Sequence, residues 1–458
     1  MGPHAPPTAA VPSPVSQSRG VRRTAVLALA GLAAGALVGW GLTQRPSDPG
    51  PAAAAAAAPA ATTTSERLAA LHAAVEEDPA DVAAWRTLAT VAVTRAAEVG
   101  DPTYYDVAGR ALTRAEALAP DAPGTAIGRG VLALARHEFD DALRHGRRAL
   151  RDLPANASAL AVVTDAQIEL GDYDAAQARV EQLLDRRPGV AALARVSYLR
   201  ELRGDVGGAA QAMAGAHQAA AVPSDRAGIA ALRGDLAMLL GAVDDAADHY
   251  TQALDDMPDL VAASVGMARV TAARGDVEQA VQDLEVLVDR RPQPDAVALL
   301  GDLQQRLGRD DDAAASRALV RTLTDLQTQH GQVADLELAV YEADRGDDPQ
   351  RAVALARRAY DARPDSIYAA DALAWALARA GRARAALPLV DDALRLDSAD
   401  PVLRFHAAWI LAEAGRPAAA RRQLDRVAQT TPWFSFAYLD DASELATELG
   451  MDVPAAWR

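Results

Sequence analysis

Cysteine and lysine are absent from the chain, asparagine occurs only at Asn156, and aromatic residues make up 4% of the sequence. The lack of cysteine excludes disulfides, thiol nucleophiles, thiolate metal ligands and lipid attachment at cysteine. Positive charge is also scarce, because 46 Lys and Arg oppose 62 Asp and Glu and leave a net charge of −16. Binding to nucleic acid needs a basic face, so we expect no nucleic-acid partner.

The motifs of common enzyme classes are missing as well. The sequence has no P-loop, no nucleophile elbow and no Gly-x-Gly-x-x-Gly fingerprint. His137 and Glu138 start like a zinc-protease motif, but the next histidine, His145, does not follow at the spacing of one helical turn. Neighbouring acids such as Asp244 and Asp245 diverge by about 100° on a helix and cannot converge on one atom. We therefore predict no enzyme activity, no cofactor and no metal site.

An apolar run near the N-terminus predicts a membrane segment. Residues 25–42 carry no charge, and Thr24 and Thr43 extend the run. At about 1.5 Å per residue, a helix of this length spans roughly 27–30 Å, which matches the bilayer core. We expect one transmembrane helix, or uncleaved signal anchor, over residues 21–43, with membrane contact through residues 24–43.

The charges around this run indicate its orientation. Three arginines precede it and only Arg45 follows closely, so the positive-inside rule places the N-terminus in the cytoplasm and the rest outside, as in a single-pass protein of the cell membrane. A cleaved signal peptide is the alternative, with a small-x-small site at 58–60. We expect residues 1–20 to be a disordered cytoplasmic tail and residues 44–64 to be a Pro/Ala-rich linker.

Prolines recur at a nearly constant interval over most of the remaining chain. Those spaced by 34 or 35 residues are Pro120, Pro154, Pro188, Pro223, Pro258 and Pro292. The spacing continues in phase at Pro364 and Pro432. A fixed period of this size is typical of stacked helical repeats, in which each unit packs only on its neighbours.

One unit, residues 227–258, illustrates the local pattern. Small residues mark a first helix, Gly241 ends it, and Asp244 and Asp245 open a second helix, where carboxylates complement the helix dipole. Pro258 ends the second helix. A composition dominated by Ala and Leu also favours helix. Each period is therefore predicted to be a pair of antiparallel helices.

These units resemble the tetratricopeptide repeat. In the unit that starts at Val82, the residues that match the family pattern are Trp85, Leu88, Ala108, Leu112, Ala115 and Pro120. The small residue of the second helix recurs at Ala142, Ala176, Ala246, Ala280, Ala313, Ala352, Ala386 and Ala420. The resemblance implies an all-α fold, a right-handed α-solenoid of about ten helix-turn-helix repeats. It gives a leading half-repeat at 65–81, the array at 82–432 and a capping helix and tail at 433–458.

The resemblance also implies a concave groove lined by the first helix of each unit. Middle units contribute small or mixed side chains there, such as Ala161, Asp165, Ala231 and Asp235. The last two units contribute the predicted partner groove: Tyr368, Asp371, Trp375, Arg379, Phe405, Trp409 and Glu413. Exposed aromatics on a groove mark recognition, whereas the alternative is that they pack between first helices or under the trailing helix. Tyr198 with Glu201 is a second, weaker candidate.

The function that the resemblance implies is a non-catalytic scaffold. We expect it to bind a peptide or helix of a protein partner in the groove, on the extracytoplasmic face of the membrane. One alternative is a secreted soluble binding protein released by signal cleavage, and another is an accessory subunit of an envelope enzyme or transport complex. Family members that clamp chaperone C-termini use groove lysines and asparagines, which this groove lacks.

Overall fold

The computed structural model describes residues 63–458, and all regular structure in that part of the chain is helical. Its twenty-two α-helices form an all-α solenoid, as predicted. Their bounds are α1 Thr64–Glu77, α2 Val82–Val99, α3 Thr103–Leu118, α4 Pro123–Ala135, α5 Phe139–Asp152, α6 Ala157–Leu170, α7 Tyr173–Arg186, α8 Val190–Leu202, α9 Val206–Ala219, α10 Pro223–Leu239, α11 Val243–Asp256, α12 Val261–Ala273, α13 Val277–Arg290, α14 Pro294–Arg306, α15 Asp310–Gln329, α16 Asp335–Arg345, α17 Pro349–Ala362, α18 Ile367–Arg379, α19 Ala383–Ala393, α20 Pro401–Glu413, α21 Pro417–Thr430 and α22 Leu439–Glu448.

The helices from α2 to α21 form ten antiparallel pairs, here named units 1 to 10, with α2–α3 as unit 1 and α20–α21 as unit 10. The small residue of the second helix has no exposed surface in any of the nine units where the pattern placed one. A small side chain at a helix crossing lets the two axes approach closely. The repeated alanines therefore position the two helices of each pair.

A glycine recurs at the turn between the paired helices of units 3 to 10: Gly171, Gly204, Gly241, Gly275, Gly308, Gly346, Gly381 and Gly415. Seven of them have φ values between 70° and 96°, a left-handed conformation that ends a helix without strain only at glycine. Gly346 differs, because its φ is −75° and the chain continues extended to Asp348, which caps α17. Asp348 accepts hydrogen bonds from the backbone N–H groups of Gln350 and Arg351 at 2.9 and 3.2 Å.

The solenoid winds so tightly that later units return to earlier ones. The hairpin turns of units 1 to 5 lie against the loops that follow units 6 to 10. At unit 2, the N–H of Val333 donates to the carbonyl of Arg136 at 2.8 Å. At unit 3, the N–H of Ile367 donates to the Tyr173 hydroxyl at 3.1 Å. Successive turns of the superhelix are therefore joined by direct hydrogen bonds.

Apolar packing reinforces the same contact between turns. One buried cluster combines Tyr198 and Leu202 of α8 with Ile367 of α18 and Leu403 of α20. Each of these residues is at most 4% exposed. Burial of apolar surface on this scale makes the junction part of the core rather than a loose contact.

Several predicted segments lie outside the described residues: the tail 1–20, the transmembrane helix 21–43 and nearly all of the linker 44–64. The proposed cleavage site at 58–60 also lies outside them. Within residues 63–458, none of the helices combines the length and the apolar character needed to cross a membrane.

Within the range predicted as a capping helix and tail, residues 433–458, the α-helix starts after an irregular stretch. Residues 432–438 are irregular, and α22 begins only at Leu439. The irregular stretch carries Trp433, Phe434, Phe436 and Tyr438, whose packing across several first helices replaces helical hydrogen bonding there.

Candidate functional site

The predicted partner groove divides into buried and accessible residues. Trp375 and Phe405 have no exposed surface, and Asp371 is 5% exposed. Tyr368, Arg379 and Trp409 are half-buried, and Glu413 is exposed. Trp375 and Phe405 are therefore packed in the core between helices, which is the alternative to an exposed position on the groove. A role of the seven residues in partner binding stays a prediction.

The buried aromatics form one cluster around Trp375. Its ring stacks on His406 at a centroid distance of 4.1 Å and meets Trp409 edge-on at 6.1 Å. Phe405 stacks on Tyr438, from the irregular stretch after unit 10, at 4.7 Å. Such offset and edge-on geometries are the favourable ones for aromatic pairs. The cluster therefore joins units 9 and 10 to the C-terminal segment.

A chain of hydrogen bonds runs through this cluster. Asp371 bonds Nδ1 of His406 at 2.8 Å, and Nε2 of His406 bonds the Tyr438 hydroxyl at 2.8 Å. Trp375 Nε1 donates to the carboxylate of Asp344 at 2.6 Å, and Tyr438 donates to the same carboxylate at 2.9 Å. Burial raises the pKa of Asp344 and of Tyr438. The network satisfies polar groups in the core, and it contains no serine, threonine or cysteine nucleophile.

Sequence reasoning missed three members of this network: Asp344, His406 and Tyr438. In the sequence, His406 is distinguished only by following the predicted groove residue Phe405. Asp344 and Tyr438 lie 94 residues apart in the chain. No local pattern marks such a contact.

Arg379 marks the accessible edge of the cluster. Its guanidinium lies 5.4 Å from the ring centroid of Trp375 and 5.7 Å from that of Trp409. Its Nε donates to the carbonyl of Ala343 at 3.4 Å. A cation held over two indole faces is stabilised by the ring quadrupoles, so Arg379 holds the half-buried Trp409 against the core.

A second feature lies on the first helices of units 3 to 8, one residue from each, and is named here the inner ring. Its members are Glu169, Glu201, Asp235, Arg269, Asp295 and Glu337, and all are half-buried. Charge interactions link Glu201 to Asp235, Asp235 to Arg269, Arg269 to Asp295, Asp295 to Glu337, and Glu337 to Glu169. Charge interactions thus couple unit 8 back to unit 3, and the inner ring comprises five carboxyl groups and one guanidinium.

Crowding and burial keep these carboxyls partly protonated. Burial first, and then Asp400 and Asp235, raise the pKa of Glu201 to about 8. Burial raises the pKa of Glu169 to about 7 against the opposing effect of Arg363, which lies 3.3 Å away. Burial likewise raises the pKa of Asp295 to about 6, with Arg269 opposing. A carboxyl that resists ionisation lacks enough positive charge around it.

Other acids of the first helices are paired. Asp165 accepts from Nε and Nη2 of Arg195 at 2.7 and 2.5 Å, and Asp302 accepts from Arg345 at 2.5 Å. By contrast, Glu201 and Asp295 have no hydrogen-bond or ion-pair partner for their carboxyl groups in the described part of the chain. The inner ring therefore contains two carboxyl groups, Glu201 and Asp295, without a cation at ion-pair distance among the described residues. The sequence marks Glu201 and Asp235 as groove residues, but no pattern in it indicates the ring.

The elevated pKa of Glu201 makes stability depend on pH. Because the folded value of about 8 exceeds the ordinary 4.5, stability from the protonated form is lost as the pH rises through 8. We expect Glu201→Gln to lose about 1.4 kcal/mol less stability than the wild type between pH 7 and 9. Thermal unfolding at both pH values tests this. His145, His217 and His249, whose pKa values burial lowers from 6.5, titrate below this window. An unchanged pH slope in the variant contradicts the prediction.

No group of three or more His, Asp or Glu side chains within residues 63–458 could hold a metal ion. His137 instead lies at the junction of the superhelical turns, where Nδ1 is 3.0 Å from the carbonyl of Val333. His145 is half-buried on α5. His137 therefore contributes a contact between superhelical turns.

Comparison with known proteins identifies the repeat. The tetratricopeptide repeat family model matches residues 133–197, 237–303 and 377–432, so the chain carries tetratricopeptide repeats, as the sequence resemblance implied. No curated protein sequence matches the chain significantly.

Solved structures similar to the chain include three of low sequence identity. The hetero-tetramer Cut9–Hcn1 of APC/C is 13% identical, with a TM-score of 0.37, and the match covers 84% of this chain and 93% of that chain. A tetratricopeptide repeat protein from Parabacteroides merdae is 17% identical, with a TM-score of 0.34 and coverages of 56% and 97%. PilW, described as a widely conserved type IV pilus biogenesis factor, is 19% identical, with a TM-score of 0.34 and coverages of 44% and 90%.

Proposed function

We propose that this chain of tetratricopeptide repeats is a non-catalytic scaffold that binds a basic, extended segment of a partner protein inside its superhelix. Tetratricopeptide arrays serve protein–protein interaction, and their curvature creates an elongated inner surface for it. The observation that carries the basic character of the partner is the inner ring. Glu169 pairs there with Arg363 and Asp295 interacts with Arg269, whereas Glu201 has no cationic partner in the described part of the chain.

The electrostatics favour arginine or lysine side chains as ligands. A surface of one charge sign inside walls of low dielectric concentrates its field and attracts the opposite sign. A guanidinium or ammonium group beside Glu201 would let that carboxyl ionise, so binding would be coupled to release of a proton. The net charge of −16 adds long-range attraction for a basic partner.

The shape of the superhelix favours an extended segment over a globular domain. Successive turns of the superhelix contact each other without a gap at units 2 to 5. Hydrogen bonds join them at units 2 and 3, and their backbones approach closely at units 4 and 5. A partner must then approach the inner ring along the superhelix axis. A narrow segment meets that condition, and the ring residues on six successive units offer it several contacts.

The sequence supports a placement of the scaffold at the membrane. We propose that residues 21–43 anchor the chain in the cell membrane and that the array lies on the extracytoplasmic side, held away from the bilayer by the Pro/Ala-rich linker. Membrane fractionation combined with N-terminal sequencing of the mature protein tests this. A mature N-terminus near Ala61 would overturn the anchor and favour the secreted alternative.

A matched pair of variants tests the inner ring. We expect Glu201→Gln with Asp295→Asn to weaken binding of a fluorescent arginine-rich peptide by about tenfold, because removing two carboxylates costs on the order of 1.4 kcal/mol. The control, Glu278→Gln with Asp289→Asn, makes the same two substitutions at exposed positions of α13. Fluorescence anisotropy at fixed ionic strength measures both. Equal weakening by the two double variants would mean that only net charge matters, and the inner ring would not be the site.

A further inference from the structure

The C-terminal segment, defined here as residues 433–458, extends much farther over the array than an end cap requires. A trailing helix that only shields the last unit would contact unit 10 alone. Here Arg306 of unit 7 donates to the carbonyl of Phe436 at 3.3 Å and pairs with Asp440 at 3.3 Å. The segment therefore reaches back over first helices from unit 10 to unit 7.

Each unit along this path contributes a first-helix side chain to the segment. Asp344 of unit 8 accepts from the Tyr438 hydroxyl at 2.9 and 3.0 Å, through its two carboxylate oxygens. Trp375 of unit 9 meets the ring of Tyr438 edge-on at 5.8 Å. His406 of unit 10 bonds the Tyr438 hydroxyl at 2.8 Å. The side chain of Tyr438 is thus inserted among three units, on the face where the predicted partner groove lies.

A further aromatic of the segment packs on the array. Phe434 lies 5.3 Å from Phe405 between ring centroids, and Trp457, from the same segment, meets Phe434 edge-on at 6.1 Å. Buried aromatic anchors in pockets, together with a backbone carbonyl held by an arginine, are the contacts by which grooves hold peptides. The segment is attached to its groove as a bound ligand would be.

Docking of the segment also carries an unfavourable contact. Asp441 is 6% exposed, and its Oδ2 has no hydrogen-bond partner in the described part of the chain. Burial raises the pKa of Asp441 to about 7, with Arg379 opposing and Asp344 adding to the increase. A buried carboxyl without full hydrogen bonding opposes the docked state. The aromatic anchors must overcome this cost, so the balance between docked and released states is open to competition.

We infer that the first-helix face of units 7 to 10 is a groove for an aromatic peptide, and that the C-terminal segment occupies it as an intramolecular ligand. A partner segment of similar chemistry, with phenylalanine and tyrosine side chains spaced as in residues 433–438, competes for the same groove. The half-buried Trp409 and Arg379 become accessible to that partner when the C-terminal segment leaves. This site is separate from the inner ring, so each can fail without the other.

Peptide exchange on the full chain tests the inference. The probe is a fluorescein-labelled peptide with the sequence of residues 432–441, and its anisotropy is followed with wild type, Tyr438→Phe and the control Tyr104→Phe. Tyr438→Phe removes the bonds to Asp344 and weakens the intramolecular competitor. We expect it to bind the probe about tenfold more tightly than wild type, because a hydrogen bond to a charged group is removed. Tyr104→Phe, at a half-buried position of α3, should match wild type.

A cross-link supplies the reverse experiment. Because the chain has no cysteine, Arg306→Cys with Asp440→Cys gives the only two thiols. Joining them through a short bis-maleimide linker with a reducible disulfide should abolish probe binding, and reduction should restore it. Full binding to the cross-linked chain would overturn the inference, as would equal binding by the wild type and a Tyr438→Phe variant of unchanged circular dichroism.

Hydrogen exchange covers the case in which Tyr438→Phe does not fold. In wild type, we expect amides of residues 433–448 to exchange together and at least tenfold faster than those of α20 and α21, because the segment opens without the array. Equal protection of the segment and α20–α21 would make it a permanent part of the core and would refute its role as a ligand.

Discussion

Trp375→Ala is expected to lower the free energy of unfolding of the C-terminal units by about 3–5 kcal/mol, the range for truncating a large buried aromatic. Trp375 has no exposed surface, and its ring contacts His406, Phe405 and Tyr438. Removal leaves a cavity that three units and the C-terminal segment line. It also removes the donor at 2.6 Å from Asp344, so one buried carboxylate loses a hydrogen bond.

Trp409→Ala is the matched comparison, since it removes the same side chain from the same cluster. Trp409 is half-buried, and no side-chain hydrogen bond forms from its indole to another described residue. We expect it to cost about 1–2 kcal/mol, in proportion to the smaller area it buries. Denaturant unfolding followed by circular dichroism measures both, with hydrogen exchange in α18 and α20 as a local probe because repeat arrays need not unfold in one step. If the two variants lose equal stability, the core position of Trp375 is wrong.

The sequence predicts the repeated part of this fold because that information is local. Proline, the turn glycine and the small alanine each act within one unit, through helix termination, a left-handed turn and a close helix crossing. Each also recurs often enough to be recognised despite exceptions such as Gly346. The family match to three regions agrees with this pattern.

The site could be predicted only in part, because it depends on how units separated in sequence meet. The positional rule correctly puts Trp375 and Phe405 on first helices, yet it contains nothing about a C-terminal segment that covers them. In the middle units, Asp235 was expected to be an unremarkable groove residue. Asp235 belongs to the inner ring only because unit 8 returns to unit 3. That return depends on the superhelical pitch, which no single unit encodes.

Gly171→Ala is expected to destabilise the junction between superhelical turns by more than its backbone strain alone. Gly171 has a φ of 86°, so any other residue there costs about 1–2 kcal/mol. A Cβ at this position would also overlap the backbone carbonyl of Asp365, in the loop after unit 8. Backbone cannot move aside as a flexible side chain can, so overpacking adds about 1–3 kcal/mol.

Gly381→Ala separates the two effects. Its φ of 76° imposes the same kind of strain, but an added Cβ would meet nothing within 4 Å. The excess cost of Gly171→Ala over Gly381→Ala therefore measures the junction itself. Thermal unfolding gives that difference, and small-angle scattering gives the radius of gyration, which we expect to increase only in Gly171→Ala.

The junction also positions charge, which links this prediction to the proposed partner site. Arg395 donates to the carbonyl of Gly171 at 3.4 Å and to that of Asp365, and Arg363 pairs with Glu169 of the inner ring at 3.3 Å. If Gly171→Ala opens the junction, Glu169 separates from Glu337 and the ring no longer closes. Binding of the arginine-rich peptide should then weaken in Gly171→Ala and remain normal in Gly381→Ala. Equal stability, size and peptide binding in the two variants would show that units 3 and 8 do not hold each other in place.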